Sequence, residues 1–347
     1  MGQTVSWSTA ASVAKGVARR FPSISSSERM EIEEDFSVLV PQAEEMVTRL
    51  TGLSVPHPSR AEVVDRAGWV DANLVGYRKM MELVPSSLLG GSGLPGVDVV
   101  LGLQVGAFVG YISSRVLGQY DLLLGSEVEA GGAIYFVGPN IVQLERRFGF
   151  PKKQFRLWVA LHEMTHRYQF ESIEWLRPTF TELVSQMLSV ESPSVSDLIG
   201  AAIRIYDSIR AGQNPLAENG LAGLIVSKSQ GEALRKITAL MSIAEGHGDW
   251  VMNRAAGHEI PEAYRFHSVL SERRTTQTGA AKIISQLLGL EAKMRQYEVG
   301  ERFIETIEER SPGSIETLFL SAGNLPTIEE LRDPTIWLSR VGVLKLR

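Results

Sequence analysis

The stretch from Leu157 to His166 constrains this chain more than any other. Leu157-Trp158-Val159-Ala160-Leu161 is an unbroken apolar run that leads straight into His162-Glu163-Met164-Thr165-His166. Pro151 stands just ahead, where a proline suits the opening of a helix, and the pattern predicts one helix from there to about Glu171. Residues four apart on a helix share a face, about 6 Å apart along the axis. His162 and His166 can therefore turn two imidazoles toward one ion. Glu163, about 100° further round the helix, projects beside that ion instead of onto it. Two of only six histidines stand at this spacing, which an ordinary surface helix explains poorly.

Composition narrows what such an ion could be. The chain has no cysteine, which excludes disulfides, thiolate metal sites and a cysteine nucleophile. Any zinc must be held by nitrogen and oxygen donors. With 44% hydrophobic and 22% charged residues, the chain can bury a substantial core. Its 35 basic and 40 acidic residues give a formal charge of −5. No clustered basic face stands out, so a nucleic-acid partner is not expected. The first twenty or so residues show no apolar core followed by a small-residue cleavage site, and a cytoplasmic location is the expectation.

Val99 to Ser114 is uncharged and carries Gly102, Gly106 and Gly110 at a spacing seen in membrane helix pairs. The run is shorter than the roughly 20 apolar residues a bilayer requires and contains Gln104. It reads as a buried helix that another helix approaches closely, and no membrane partner is expected.

The chain as a whole reads as mainly α, an α+β protein with a helical core and a small sheet or hairpin before the motif helix. Glu28–Leu50 is helical and bent or split at Pro41, Ala61–Val84 is helical, and the Gly/Pro-rich stretch 83–96 is a loop. Tyr120–Leu124 and Ala133–Val137 are short, apolar and β-prone, and predict two strands that could form an antiparallel pair. Gly138-Pro139-Asn140 ends the second. Pro178 starts another helix, Leu234–Ala255 is helical, and so is Glu262 to about Arg310, divided at Gly289. The organisation expected is an N-terminal helical region, 1–117, and a metal-binding region, 118–347.

The sequence His162-Glu163-Met164-Thr165-His166 is an HExxH motif, and the apolar run before it is similar to the stricter zincin pattern. In that motif the histidines hold zinc and Glu163 serves as general base. Arg167 departs from the pattern, which has an uncharged residue there. A catalytic zinc takes three protein ligands and keeps one position open. Glu245 and Asp249, four apart, resemble the ExxxD element of thermolysin-like gluzincins. That resemblance makes Glu245 the third ligand and Asp249 the residue that orients a ligand histidine. Glu182 and His247 remain rivals, and His258 and His267 sit in no recognisable ligand pattern. Gly246 and Gly248, between Glu245 and Asp249, argue against a helix face chosen for stability alone.

The resemblance extends beyond the motif. Gly118–Leu124 (GQYDLLL), Val137–Ile141 (VGPNI), Ala160–Phe170 (ALHEMTHRYQF), Glu174–Pro178 (EWLRP), Glu245–Asn253 (EGHGDWVMN), Leu287–Glu305 and Asn324–Val341 together resemble a bacterial family of zincin-like hydrolases. Its members are often labelled zinc-dependent metalloproteases, or associated with biosynthesis of a deazaflavin coenzyme. The resemblance implies a Zn²⁺ cofactor and a peptide or other amide substrate.

For amide hydrolysis a donor must stabilise the oxyanion, and Tyr297, His247, Lys293 and Arg273 are the candidates. The Ala133–Val137 strand is expected to offer a sheet edge to an extended peptide. The competing class is a non-catalytic zincin-fold protein with a structural or vestigial metal site and a binding role.

Overall fold

The computed structural model describes residues 5–82, 96–122, 132–188, 228–256, 259–275 and 290–343. It is mainly helical with one small sheet, and divides into two compact units: Met1–Ser172 with Val251–Phe266, and Ile173–Trp250 with His267–Arg347.

In the first unit, α1 (Trp7–Ala18) packs along α4 (Val97–Ser113). The three spaced glycines make this possible. A Cβ on Gly102 would lie 2.5 Å from the Ser6 carbonyl oxygen, and one on Gly106 2.6 Å from that of Ala10. One on Gly110 would meet the Val17 Cβ at 2.7 Å. The small-residue face therefore finds its partner within the chain. Among the described residues no helix is long and apolar enough to cross a membrane.

Helix α2 (Ser26–Thr51) starts at a capping box: the Ser25 hydroxyl accepts from the Glu28 amide while the Glu28 carboxylate accepts from the Ser25 amide. Pro41 lies inside this helix and does not split it. The region expected to be one helix from Ala61 holds a strand first, β1 (Arg60–Val64), and then α3 (Arg66–Glu82). Asp65 separates them, and its carboxylate accepts the Gly68 amide at 2.7 Å.

Two further strands, β2 (Gly118–Tyr120) and β3 (Ala133–Val137), pair antiparallel as expected, but β2 lies earlier than the expected Tyr120–Leu124: only Tyr120 is shared, Asp121 and Leu122 follow the strand, and Leu123 and Leu124 lie outside the described residues. β1 pairs parallel to β3 on its other side, giving the order β1-β3-β2. β3 is thus paired on both flanks, which corrects the expectation that it offers an edge to a peptide. Its ladder groups are already used, and β2 is the edge strand on the motif side. The Phe136 ring of β3 stacks on Phe36 of α2 at 3.9 Å, fastening the sheet to that helix.

Gly138 does more than end β3. It opens α5 (Gly138–Phe148), with Pro139 in the first turn where its missing N–H costs nothing. Buried Asn140 accepts from the Arg66 guanidinium at 2.7 Å and donates to the Ser113 and Val116 carbonyls. The motif helix α6 (Lys152–Ser172) follows and is buried on most of its circumference. Phe155 and Trp158 pack with Phe150 and Phe266. Arg156, also buried, reaches Glu145 at 2.8 Å and Asp35 at 2.7 Å. Burial pulls its pKa down, but the bond to Glu145 and the charges of Glu145 and Asp35 outweigh this and raise it.

The second unit contains α7 (Leu176–Leu188), most of α8 (Lys228–Ala255), the later part of α9 (Ala263–Thr275) and α10 (Leu290–Arg310). Three short helices close it: α11 (Ser314–Phe319), α12 (Ile328–Arg332) and α13 (Pro334–Arg340). Ile243, Phe303, Ile304, Ile307, Trp337 and Leu338 form its core. Helices α8 and α10 cross at glycine. A Cβ on Gly300 would sit 1.9 Å from the Ser242 carbonyl oxygen, and one on Gly246 2.2 Å from the Gly300 carbonyl carbon. The expected break at Gly289 lies outside the described residues.

Candidate metal centre

Helix α6 delivers the pair that its sequence spacing implies. The Nε2 atoms of His162 and His166 are 3.1 Å apart, with ring planes at 84° and centroids at 4.5 Å. Two nitrogens bound tetrahedrally at the usual zinc distances would be about 3.3 Å apart. The observed separation fits such an ion within a few tenths of an ångström. Trp158, one turn earlier, lies near-parallel to the His162 ring at 6.5 Å. On the far side of His166, its Nδ1 lies 3.0 Å from Oε1 of Gln169, a fully buried side chain.

Glu163 is 7% exposed. Its Oε2 accepts the backbone N–H of Tyr120 at 3.0 Å. Gln119 and Asp121 face β3 through their ladder bonds, so the Tyr120 amide points outward from the sheet edge, toward α6. Gly118, two residues earlier, leaves the room that Glu163 occupies. A Cβ there would lie 2.5 Å from Glu163 Cγ and 2.7 Å from Oε1, closer than non-bonded carbon contacts allow. The β2 edge thus cradles the glutamate of the motif.

Arg167, the residue that departs from the zincin pattern, is fully buried in a polar cluster. It donates to Glu44 of α2 at 2.8 Å, to Glu171 at 3.1 Å and to the His57 carbonyl. Glu171 also accepts from the Tyr120 hydroxyl at 3.2 Å and the Gly132 amide at 2.8 Å. The departure is therefore structural: this charge ties α6 to α2 and to the strands beside Glu163.

In the second unit, Glu245 and Asp249 share a face of α8, both partly buried. Asp249 Oδ1 is 4.0 Å from His267 Nδ1. Gly246 has a packing reason, the crossing with Gly300, so its presence is no sign of a ligand site. Glu182 is exposed on α7 and accepts from Gln186 at 3.0 Å. His247 is 1% exposed, stacked on Trp250 at 5.7 Å and edge-on to Phe319 at 5.1 Å. His258 lies outside the described residues, as do the side chains of Arg273, Lys293 and Tyr297.

Residues 5–338 match the profile of the zincin-like metallopeptidases. The chain belongs to the zincin-like metallopeptidase family. This zincin-like chain is also similar to a crystal structure from Chloroflexus aurantiacus, described as that of a candidate hydrolase with a novel fold. The two are 28% identical, the match covers 97% of this chain and 99% of the other, and the TM-score is 0.71. No curated protein matches it. Gly118, the Tyr120 amide and Gln169 were not foreseen as parts of the site. The signal for Gln169 was present, since residues three apart on a helix are neighbours.

Proposed function

We propose that this chain is a zinc metallohydrolase cleaving amide bonds, those of peptides first, with His162, His166 and Glu245 as metal ligands. The observation that carries the reading is the 3.1 Å approach of two imidazole Nε2 atoms on a helix that also bears a buried glutamate. Family membership and the hydrolase-like neighbour support the reaction class. The third ligand is proposed from the ExxxD resemblance, which favours Glu245. Two imidazoles and one carboxylate are a set that catalytic zinc accepts.

A zinc ion held there supplies Lewis acidity, polarising a substrate carbonyl and making water acidic enough to attack near neutral pH. Glu163 takes the proton of the attacking water, its carboxylate held in place by the Tyr120 amide at Oε2. It then returns that proton to the leaving nitrogen. Asp249 is the residue proposed to orient a ligand imidazole.

Elemental analysis tests the assignment on wild type and on the His162→Ala, Glu245→Ala and Glu182→Ala variants. The expected result is about one zinc per chain, as a single mononuclear site requires, lost in the first two variants and kept in Glu182→Ala. Wild-type protein that stays metal-free after zinc is supplied would sink the hydrolase reading. Zinc kept by Glu245→Ala would remove Glu245 from the ligand set.

A further inference from the structure

A neutral imidazole has one donor nitrogen and one acceptor nitrogen, and whatever binds one of them decides the role of the other. His166 Nδ1 faces the Oε1 atom of Gln169 at 3.0 Å. An amide oxygen only accepts, so Nδ1 carries the proton and Nε2 presents a lone pair. That lone pair points to the place where Nε2 of His162 also converges. Gln169 is fully buried, one turn beyond His166 on the same helix, so its position is set by the packing of α6.

Resting on the zinc reading above, we infer that Gln169 is a positioning residue of the metal centre, holding His166 in the tautomer that offers Nε2 to the ion. The acceptor comes from the motif helix itself, so it stays aligned with His166 whatever other elements do. It is a neutral acceptor. A carboxylate in its place would make the imidazole a stronger donor and tighten the hold on the metal.

The test is zinc affinity, measured with zinc alone in competition with a chromophoric chelator, on wild type, Gln169→Met and Gln169→Glu. Methionine has similar length but no strong acceptor, and the expected loss of affinity is about 10- to 100-fold. Gln169→Glu restores an acceptor and should bind at least as tightly as wild type. Gln169→Met binding zinc as tightly as wild type would overturn the inference while leaving the zinc reading intact. Wild type that binds no zinc overturns both.

A second measurement does not depend on how the variants fold. Nitrogen-15 spectra of metal-free wild type, with its histidines labelled, report which ring nitrogen of His166 is protonated. Protonation at Nδ1 supports the assignment, and protonation at Nε2 refutes it.

Discussion

A single methyl group on β2 should be felt by the glutamate of the motif. In Gly118→Ala the new Cβ would arrive 2.5 Å from Glu163 Cγ, 2.7 Å from Oε1 and 2.8 Å from Cδ. The carboxylate has little room to yield, because Oε2 is tied to the Tyr120 amide on the same strand. Either that bond breaks or β2 shifts against β3. Adding a methyl to a tight site costs about 1–3 kcal/mol, and losing a hydrogen bond to a charged acceptor costs about 1.5–3 kcal/mol. The chain takes the cheaper route, so the expected destabilisation is about 1–3 kcal/mol. Glu163→Ala removes the three atoms nearest the new methyl, and in that background the cost should fall to near zero. Urea unfolding of the four metal-free proteins, extrapolated with a common slope, measures the cycle. A coupling of about 1–3 kcal/mol is expected for groups in direct contact. Equal penalties in both backgrounds would refute the reasoning and place the strain in the strand backbone.

Two further outcomes follow from the charges around α6. Arg167→Met leaves Glu44 and Glu171 without their buried guanidinium and should cost about 3–5 kcal/mol in urea unfolding. Arg167→Lys should recover only part, since an ammonium cannot copy the planar fork, and a loss below about 1 kcal/mol for methionine would show that the pair is not worth what a buried pair usually is. At the surface, the hydrogen bond from Lys152 is the main cause that holds the Glu31 carboxyl below its ordinary value of 4.5, opposed by burial and aided by the charge of Arg156. A depressed carboxyl stabilises the fold above its unfolded value, and that contribution fades as pH falls through the lower folded one. Wild type should therefore exceed Lys152→Met in stability above pH 4.5, and the two curves should converge on acidification. Parallel curves across that range would contradict the assignment.

What could be read before folding was local. The helix carrying His162, Glu163 and His166 was legible because an apolar run, a proline start and a four-residue spacing all repeat within a few turns. The glycine-spaced helix was legible for the same reason, though not its partner α1. β1 was misread because five residues of Arg60–Val64 carry little periodicity of their own. Their strand identity comes from the parallel pairing with Ala133–Val137, remote in sequence. That pairing also decided which strand is the edge, since the apolar character of β3 suits an edge of a hairpin and the middle of a sheet equally well.

The divide runs through the site itself. The sequence by itself determined the donor types, nitrogen and oxygen without sulfur, and the two histidines on one helical face, because helix geometry is the same wherever a helix forms. Tertiary structure alone decided that Arg167 is a buried strut to Glu44, that Gly246 answers to Gly300, and that Gly118 and the Tyr120 amide hold Glu163. Those roles depend on which elements come to lie against one another, and no local pattern carries that information.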